Sequence, residues 1–159
     1  MKTLFLVRHA KSDHSFDLTD FERPLNERGH ADAPKVARAL VDKGFRIDHF
    51  ISSPAKRALT TCRYFAEIFG NSAVQKEEDL YEPMQEDFVK TIVNVKDEHA
   101  SVALFSHNPT ISEYATSLAD QRIDFPTCGV AVFEIDTDHW TDFSAAEKKL
   151  VLFLSPKDL

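Results

Sequence analysis

Short runs that are apolar at nearly every position, rather than at alternate ones, constrain this chain more than any other feature. Leu4 to Val7 (LFLV) is the first of them. A strand with one wet face alternates apolar and polar residues, whereas a continuous apolar run needs cover on both faces, as in a largely parallel sheet. His49 to Ser52, Val102 to Ser106, Val130 to Ile135 and Leu150 to Leu154 read the same way. Helical periods lie between them. Ala33, Val36, Ala37 and Leu40 recur at three and four residues, with Gly44 as the expected C-cap. Ala55, Ala58, Leu59, Cys62, Phe65, Ala66 and Phe69 repeat the pattern before Gly70, Phe88, Ile92 and Val95 mark a third helix, and Ile111, Tyr114, Ala115 and Leu118 a fourth. Strands alternating with helices of this length predict crossover units and an α/β sandwich.

The 159 residues suit one domain, 1–159, with no repeat, linker or low-complexity tract. Apolar residues make up 43% and charged residues 28%, the balance of a soluble globular chain. The apolar run after Met1 stops at Arg8, short of the roughly 7–15 residues of a signal core, and no stretch is long enough for a membrane span. With a net charge of -7, the surface as a whole should repel nucleic acid and anionic membranes, so any anion site must be concentrated in a few residues. Cys62 and Cys128 form no C-x-x-C pair and read as buried thiols of a cytoplasmic protein.

The first strand ends on Arg8 and His9. Two other junctions share a form: Ser52-Ser53-Pro54 and Ser106-His107-Asn108-Pro109 each lead from a strand into a helix expected to start at its proline, with serine or asparagine as N-cap. In α/β sheets ligands bind at the carboxyl ends of the strands. Arg57 lies in the first turn of its helix and leans back toward that edge, so Arg8, His9, Arg57 and His107 are expected to converge. Two arginines offer forked donors to a tetrahedral oxyanion, and a histidine neutral at physiological pH can act as a nucleophile. The bland alternative is that Arg57 is a solvated helix charge, that His107 is a turn residue and that a structural carboxylate neutralises Arg8. A buried arginine needs one partner or the other.

Other chemistries lack their patterns. The chain has no G-x-x-x-x-G-K-[ST], G-x-G-x-x-G or G-x-S-x-G. Six positions beyond the two cysteines stand Ile68 and Glu134, not the arginine of a cysteine-dependent phosphatase loop. His9 and His14 are five apart and no H-E-x-x-H exists, so no metal site is expected. His30, His49, His99 and His139 sit in no recognisable pattern.

Together LFLVRHAKS, SSPAKRALTT and LFSHNP resemble the histidine phosphatase superfamily, the phosphoglycerate mutase-like branch 1 group. DFERPLNERG, FPTCGVAVFEID and the tail SPKDL extend the likeness, over the whole chain, to the short SixA-type phosphohistidine phosphatases. The resemblance implies a three-layer α/β/α fold with a mostly parallel sheet and no large cap insertion. It further implies that His9 is the nucleophile that becomes phosphorylated, that Arg8 and Arg57 clamp the phosphoryl oxygens and that His107 completes the pocket, with no metal or other cofactor. Glu82, in Leu80-Tyr81-Glu82, can be laid on the superfamily's glutamate proton donor, although SixA-type proteins usually lack that acid; its other reading is a solvated residue at a helix entrance. The implied partner is a phosphohistidine-bearing protein, such as a phosphorelay component, or else a small phosphorylated substrate. A short chain leaves no room for a large lid, so the pocket is expected to be open. The loop from Asp13 to Asn26 would form its rim, with Phe16 and Phe21 either facing a partner or anchoring the loop to the core.

Overall fold

The structure is a computed structural model that describes residues 1–14 and 17–159. Six strands of the described residues form one sheet: β1 (Lys2–Arg8), β2 (His49–Ser52), β3 (Gln75–Lys76), β4 (Ser101–Ser106), β5 (Val130–Ile135) and β6 (Lys148–Leu154), in the order β3-β2-β4-β1-β5-β6. The β1/β4, β2/β4 and β2/β3 pairs are parallel. Four α-helices of the described residues cover it: α1 (Glu27–Asp42), α2 (Lys56–Ile68), α3 (Gln85–Val93) and α4 (Thr110–Ala119).

The apolar runs do what their composition demands. Along β1, Phe5 and Val7 join α1 and α2 in one buried cluster, while Leu4 and Leu6 join α3 and α4 in another. β4 divides likewise, with Ala103 and Phe105 on the first side and Val102 and Leu104 on the second. Two helical layers on one sheet make the expected three-layer sandwich. Each fully buried Leu or Phe side chain in these layers contributes roughly 1.5–3 kcal/mol.

Three expectations need correction. Val130 to Ile135 is a buried strand, but it runs antiparallel to both neighbours. After α4 the chain climbs back along that helix, with Ile123 and Phe125 N–H groups donating to the Thr116 and Ser112 hydroxyls, and so enters β5 from the end at which β1 leaves. Leu150 to Leu154 belongs to the edge strand β6, half-exposed with Phe153 outward, not to a strand buried on both faces. The helices also begin later than their prolines: α2 starts at Lys56 with Ala55 at the N-cap, and α4 at Thr110 with Pro109 there. Pro54 and Pro109 instead belong to the turns that leave β2 and β4, where a residue before proline disfavours helix.

Candidate active site

Backbone hydrogen bonds stitch the strand ends together. Arg8 N–H donates to Gly129 O at 3.1 Å, His9 N–H to Ser106 O at 3.3 Å, Cys128 N–H to His9 O at 2.9 Å and Ser53 N–H to Phe105 O at 2.9 Å. The result brings together all four residues expected from the sequence. The His9 and His107 rings lie 5.2 Å apart, and His9, Arg57 and His107 are each only 6% exposed.

His9 is held as a neutral base. Its Nδ1 lies 2.8 Å from Ala10 O, and a carbonyl can only accept, so Nδ1 carries the proton and Nε2 the free lone pair. Ala10 is fixed in turn, its N–H donating to Thr61 Oγ1 at 3.0 Å while that hydroxyl donates to Arg57 O at 2.8 Å. One buried threonine thus couples the His9 loop to the helix that carries Arg57. His107 Nε2 lies 2.8 Å from Ser53 Oγ.

The arginines differ. Arg57 is not the solvated helix charge of the bland reading: it is buried and pairs with Asp20 at 3.1 Å. Arg8 donates to the Phe125 carbonyl at 2.9 Å and has no ion-pair partner among the described residues. Arg8 Nε, Arg57 Nε and His107 Nδ1 are buried without a hydrogen-bond partner among the described residues. Leaving such a group unmet costs about 1–3 kcal/mol, and three of them on three neighbouring side chains make a set that a tetrahedral oxyanion satisfies.

Burial pushes both histidines down to about 3, with Arg57, Arg8 and, for His9, His107 adding to the effect. Both are therefore uncharged at neutral pH. The sign for stability follows, because the unfolded imidazoles take up protons below about 6.5 while the folded ones do so only near 3. Stability should rise with pH between those limits and level off above. We expect the His9 and His107 ring C–H resonances to stay flat from pH 8 to 5 in an NMR titration, while denaturant unfolding at pH 4.5 shows lower stability than at pH 7. A ring titrating near 6.5 would contradict this.

Glu82 is exposed, with a left-handed backbone (φ 52°), and among the described residues no hydrogen bond or ion pair ties its carboxylate to the cluster. The residue that reaches His107 is its neighbour. The Tyr81 ring packs edge-on to His107 at 5.7 Å and to Phe21 at 5.3 Å, so Phe21 anchors its loop. Phe16 lies outside the described residues. Asp20, Tyr81, Thr61, Ser53 and the Phe125 carbonyl were not picked out from the sequence as site groups. Asp20, Ser53, Thr61 and Phe125 lie within segments that carry the family likeness, and Asp20 also stands three residues before Arg23, with which it pairs.

The remaining histidines make local contacts: His30 with Tyr64, His49 with Gln75 and His139 with Asp97. Among the described residues no group of three or more His, Cys, Asp or Glu is placed to hold a metal ion. No helix of the described residues is long and apolar enough to cross a membrane. Both cysteines are buried free thiols, which burial pushes up out of the reactive range.

The carboxyl ends of the parallel strands β1, β2 and β4 thus present two neutral histidines and two arginines, a set suited to a tetrahedral oxyanion. The family model of the histidine phosphatase superfamily (branch 1) matches residues 4–86, and the chain belongs to that superfamily. Within it the chain is of the SixA type. It resembles the SixA protein of Agrobacterium tumefaciens with a TM-score of 0.83 and 29% identity, covering 98% of each chain. An uncharacterized protein of Mycobacterium tuberculosis is 30% identical over 162 residues, 95% of this chain and 100% of that one. The fold is shared with the protein histidine phosphatase SixA complexed with tungstate (TM-score 0.85, 20% identity, 98% of each chain). It is also shared with a mycobacterial glucosyl-3-phosphoglycerate phosphatase (TM-score 0.73, 14% identity, 98% of this chain and 100% of that one).

Proposed function

We propose that this phosphatase, one domain over residues 1–159, removes the phosphoryl group from a phosphohistidine on a partner protein in the cytoplasm, without a metal. The observation that carries the reading is the His9 tautomer, which leaves Nε2 with its lone pair, on a ring that feels the charges of Arg57 and Arg8, both with unpartnered Nε groups. Nε2 attacks phosphorus in line as the bond from phosphorus to the donor imidazole breaks, the electron pair leaving with the donor nitrogen. Water then attacks phosphorus. The bond to His9 breaks, its electron pair returns to Nε2, and inorganic phosphate departs with the water oxygen. Arg8, Arg57 and His107 face the charge on the three phosphoryl oxygens, and this positioning and electrostatic stabilisation supply most of the catalysis. The tungstate held by the SixA neighbour is an oxyanion of the same shape.

Leaving-group chemistry supports the phosphoramidate. An alkyl phosphate leaves as an alkoxide that needs a strong proton donor, whereas an imidazole leaves stably when neutral. Nothing ties Glu82 to the cluster as such a donor. The net charge of -7 argues against a nucleic-acid or anionic-membrane partner.

The test is to offer a phosphorylated histidine protein and, separately, a panel of phosphate esters, quench without acid, and look for phosphate on His9 by mass spectrometry. Phosphate on His9 from the histidine donor, with esters inert, is the expected result. Glu82→Gln should change turnover of that donor by less than about threefold. A second reading, a small-molecule phosphomonoesterase with Glu82 as proton donor, is favoured by the likeness to the glucosyl-3-phosphoglycerate phosphatase. It predicts rapid ester turnover that E82Q abolishes. If neither donor labels His9 or turns over, the chain is a phosphate- or phosphoprotein-binding module.

A further inference from the structure

Arg57 does not await its phosphoryl group with a free guanidinium. Nη1 donates to the Asp20 main-chain oxygen at 2.7 Å and Nη2 to Asp20 Oδ2 at 3.1 Å, so a single residue engages both terminal nitrogens. Asp20 is itself held from two further sides. Tyr81 Oη donates to Oδ2 at 2.7 Å, and Arg23 Nε and Nη2 donate to Oδ1 at 3.3 and 3.1 Å. Arg23 continues the chain to Ser12 Oγ at 2.6 Å and Asp13 O at 3.2 Å, in the segment that follows His9. Tyr81 meanwhile packs against His107. One carboxylate therefore joins the elements that carry His9, Arg57 and His107.

We propose that Asp20 is the positioning residue for Arg57 and the internal counter-anion of the pocket. It holds the guanidinium in place by both terminal nitrogens, and its negative charge weakens the pocket's hold on inorganic phosphate so that the product leaves. This rests on the phosphatase reading above for its kinetic arm and on anion binding alone for its other arm. The Tyr81 hydrogen bond, with Arg57 and Arg23, outweighs partial burial and keeps Asp20 down at about 2, so the counter-charge is present at every practical assay pH.

The two roles separate in variants. Asp20→Asn keeps the side-chain shape and the main-chain acceptor but removes the charge. Inorganic phosphate should then bind about fivefold or more tightly by calorimetry at pH 7, because a nearby repulsive charge is gone. Over the same change, kcat on a phosphohistidine donor should fall by about tenfold as Arg57 keeps the main-chain acceptor but loses the carboxylate that holds Nη2. The Asp20 side chain is 55% exposed, and the melting temperature should move by no more than about 3 °C. Tyr81→Phe, which leaves the charge in place, should lower kcat by a smaller factor with phosphate affinity unchanged.

A merely structural Asp20 would lose phosphate affinity and kcat together, and that outcome overturns the assignment. Unchanged phosphate binding in D20N overturns it equally. If the wild-type protein turns over no donor while D20N still tightens phosphate, the proposed reaction fails and the counter-anion assignment stands.

Discussion

His9→Ala should lower turnover of a phosphohistidine donor by about 10⁴-fold or more while the protein still folds. The size follows from the route, because without Nε2 no covalent intermediate forms and direct attack by water has no activated nucleophile. The fold survives because the ring's own ties are local: Nδ1 bonds the next residue's carbonyl, and the stitching of the strand ends uses the His9 backbone, which alanine keeps. Loss of an imidazole that stays neutral down to about pH 3 should also make the variant less acid-sensitive. Single-turnover assays with mass spectrometry of the intact protein measure this. Phosphate appearing on His107 in the variant, or turnover above a few per cent, would sink the assignment of His9. His107→Ala should cost less, about 10²–10³-fold, as expected for one donor to a transition-state oxyanion.

Gly29→Ala should have the largest effect on the scaffold of the site, although residue 29 never touches substrate. A Cβ there would lie 2.1 Å from the Lys11 carbonyl oxygen, a distance no real contact tolerates, and 3.1 Å from Leu25 Cβ. Neither side can yield cheaply. Gly29 N–H caps α1 through Asn26 Oδ1 at 2.9 Å, and Asn26 N–H donates to the same Lys11 carbonyl at 3.0 Å. Relieving the clash means moving Lys11, two residues from His9, or breaking the start of α1. We expect a loss of about 3 kcal/mol, which for a chain of this size lowers the melting temperature by roughly 6–12 °C. The accompanying shift of Ala10, whose carbonyl orients His9, should lower kcat by about a hundredfold. Wild-type melting and kinetics in G29A would show that the close approach is not maintained in solution.

Much of this protein could be read along the chain because burial leaves a local mark. A strand covered on both faces must be apolar at consecutive positions, and β1, β2, β4 and β5 lie where their runs predicted. Likewise α1 to α4 follow the three-and-four periods. Arg8, His9 and His107 could be placed at one edge because each stands just past such a strand, and Arg57 because it opens the helix after another.

What the chain does not display is anything set by neighbours distant in sequence. The direction of β5 depends on residues 121–129 climbing back along α4, and the exposure of β6 depends on its place at the sheet's edge. Whether Arg57 has a carboxylate partner and Arg8 none is decided by where Asp20 is carried, 37 residues away from Arg57. The tautomer and the low basicity of His9 likewise come from a carbonyl pinned by Thr61 and from burial among other elements. The layers and the four groups at their edge are legible along the chain, since periodicity is a property of consecutive residues. The charges, protonation states and free hydrogen-bonding groups of those four come from packing in three dimensions, because electrostatics and desolvation act through space.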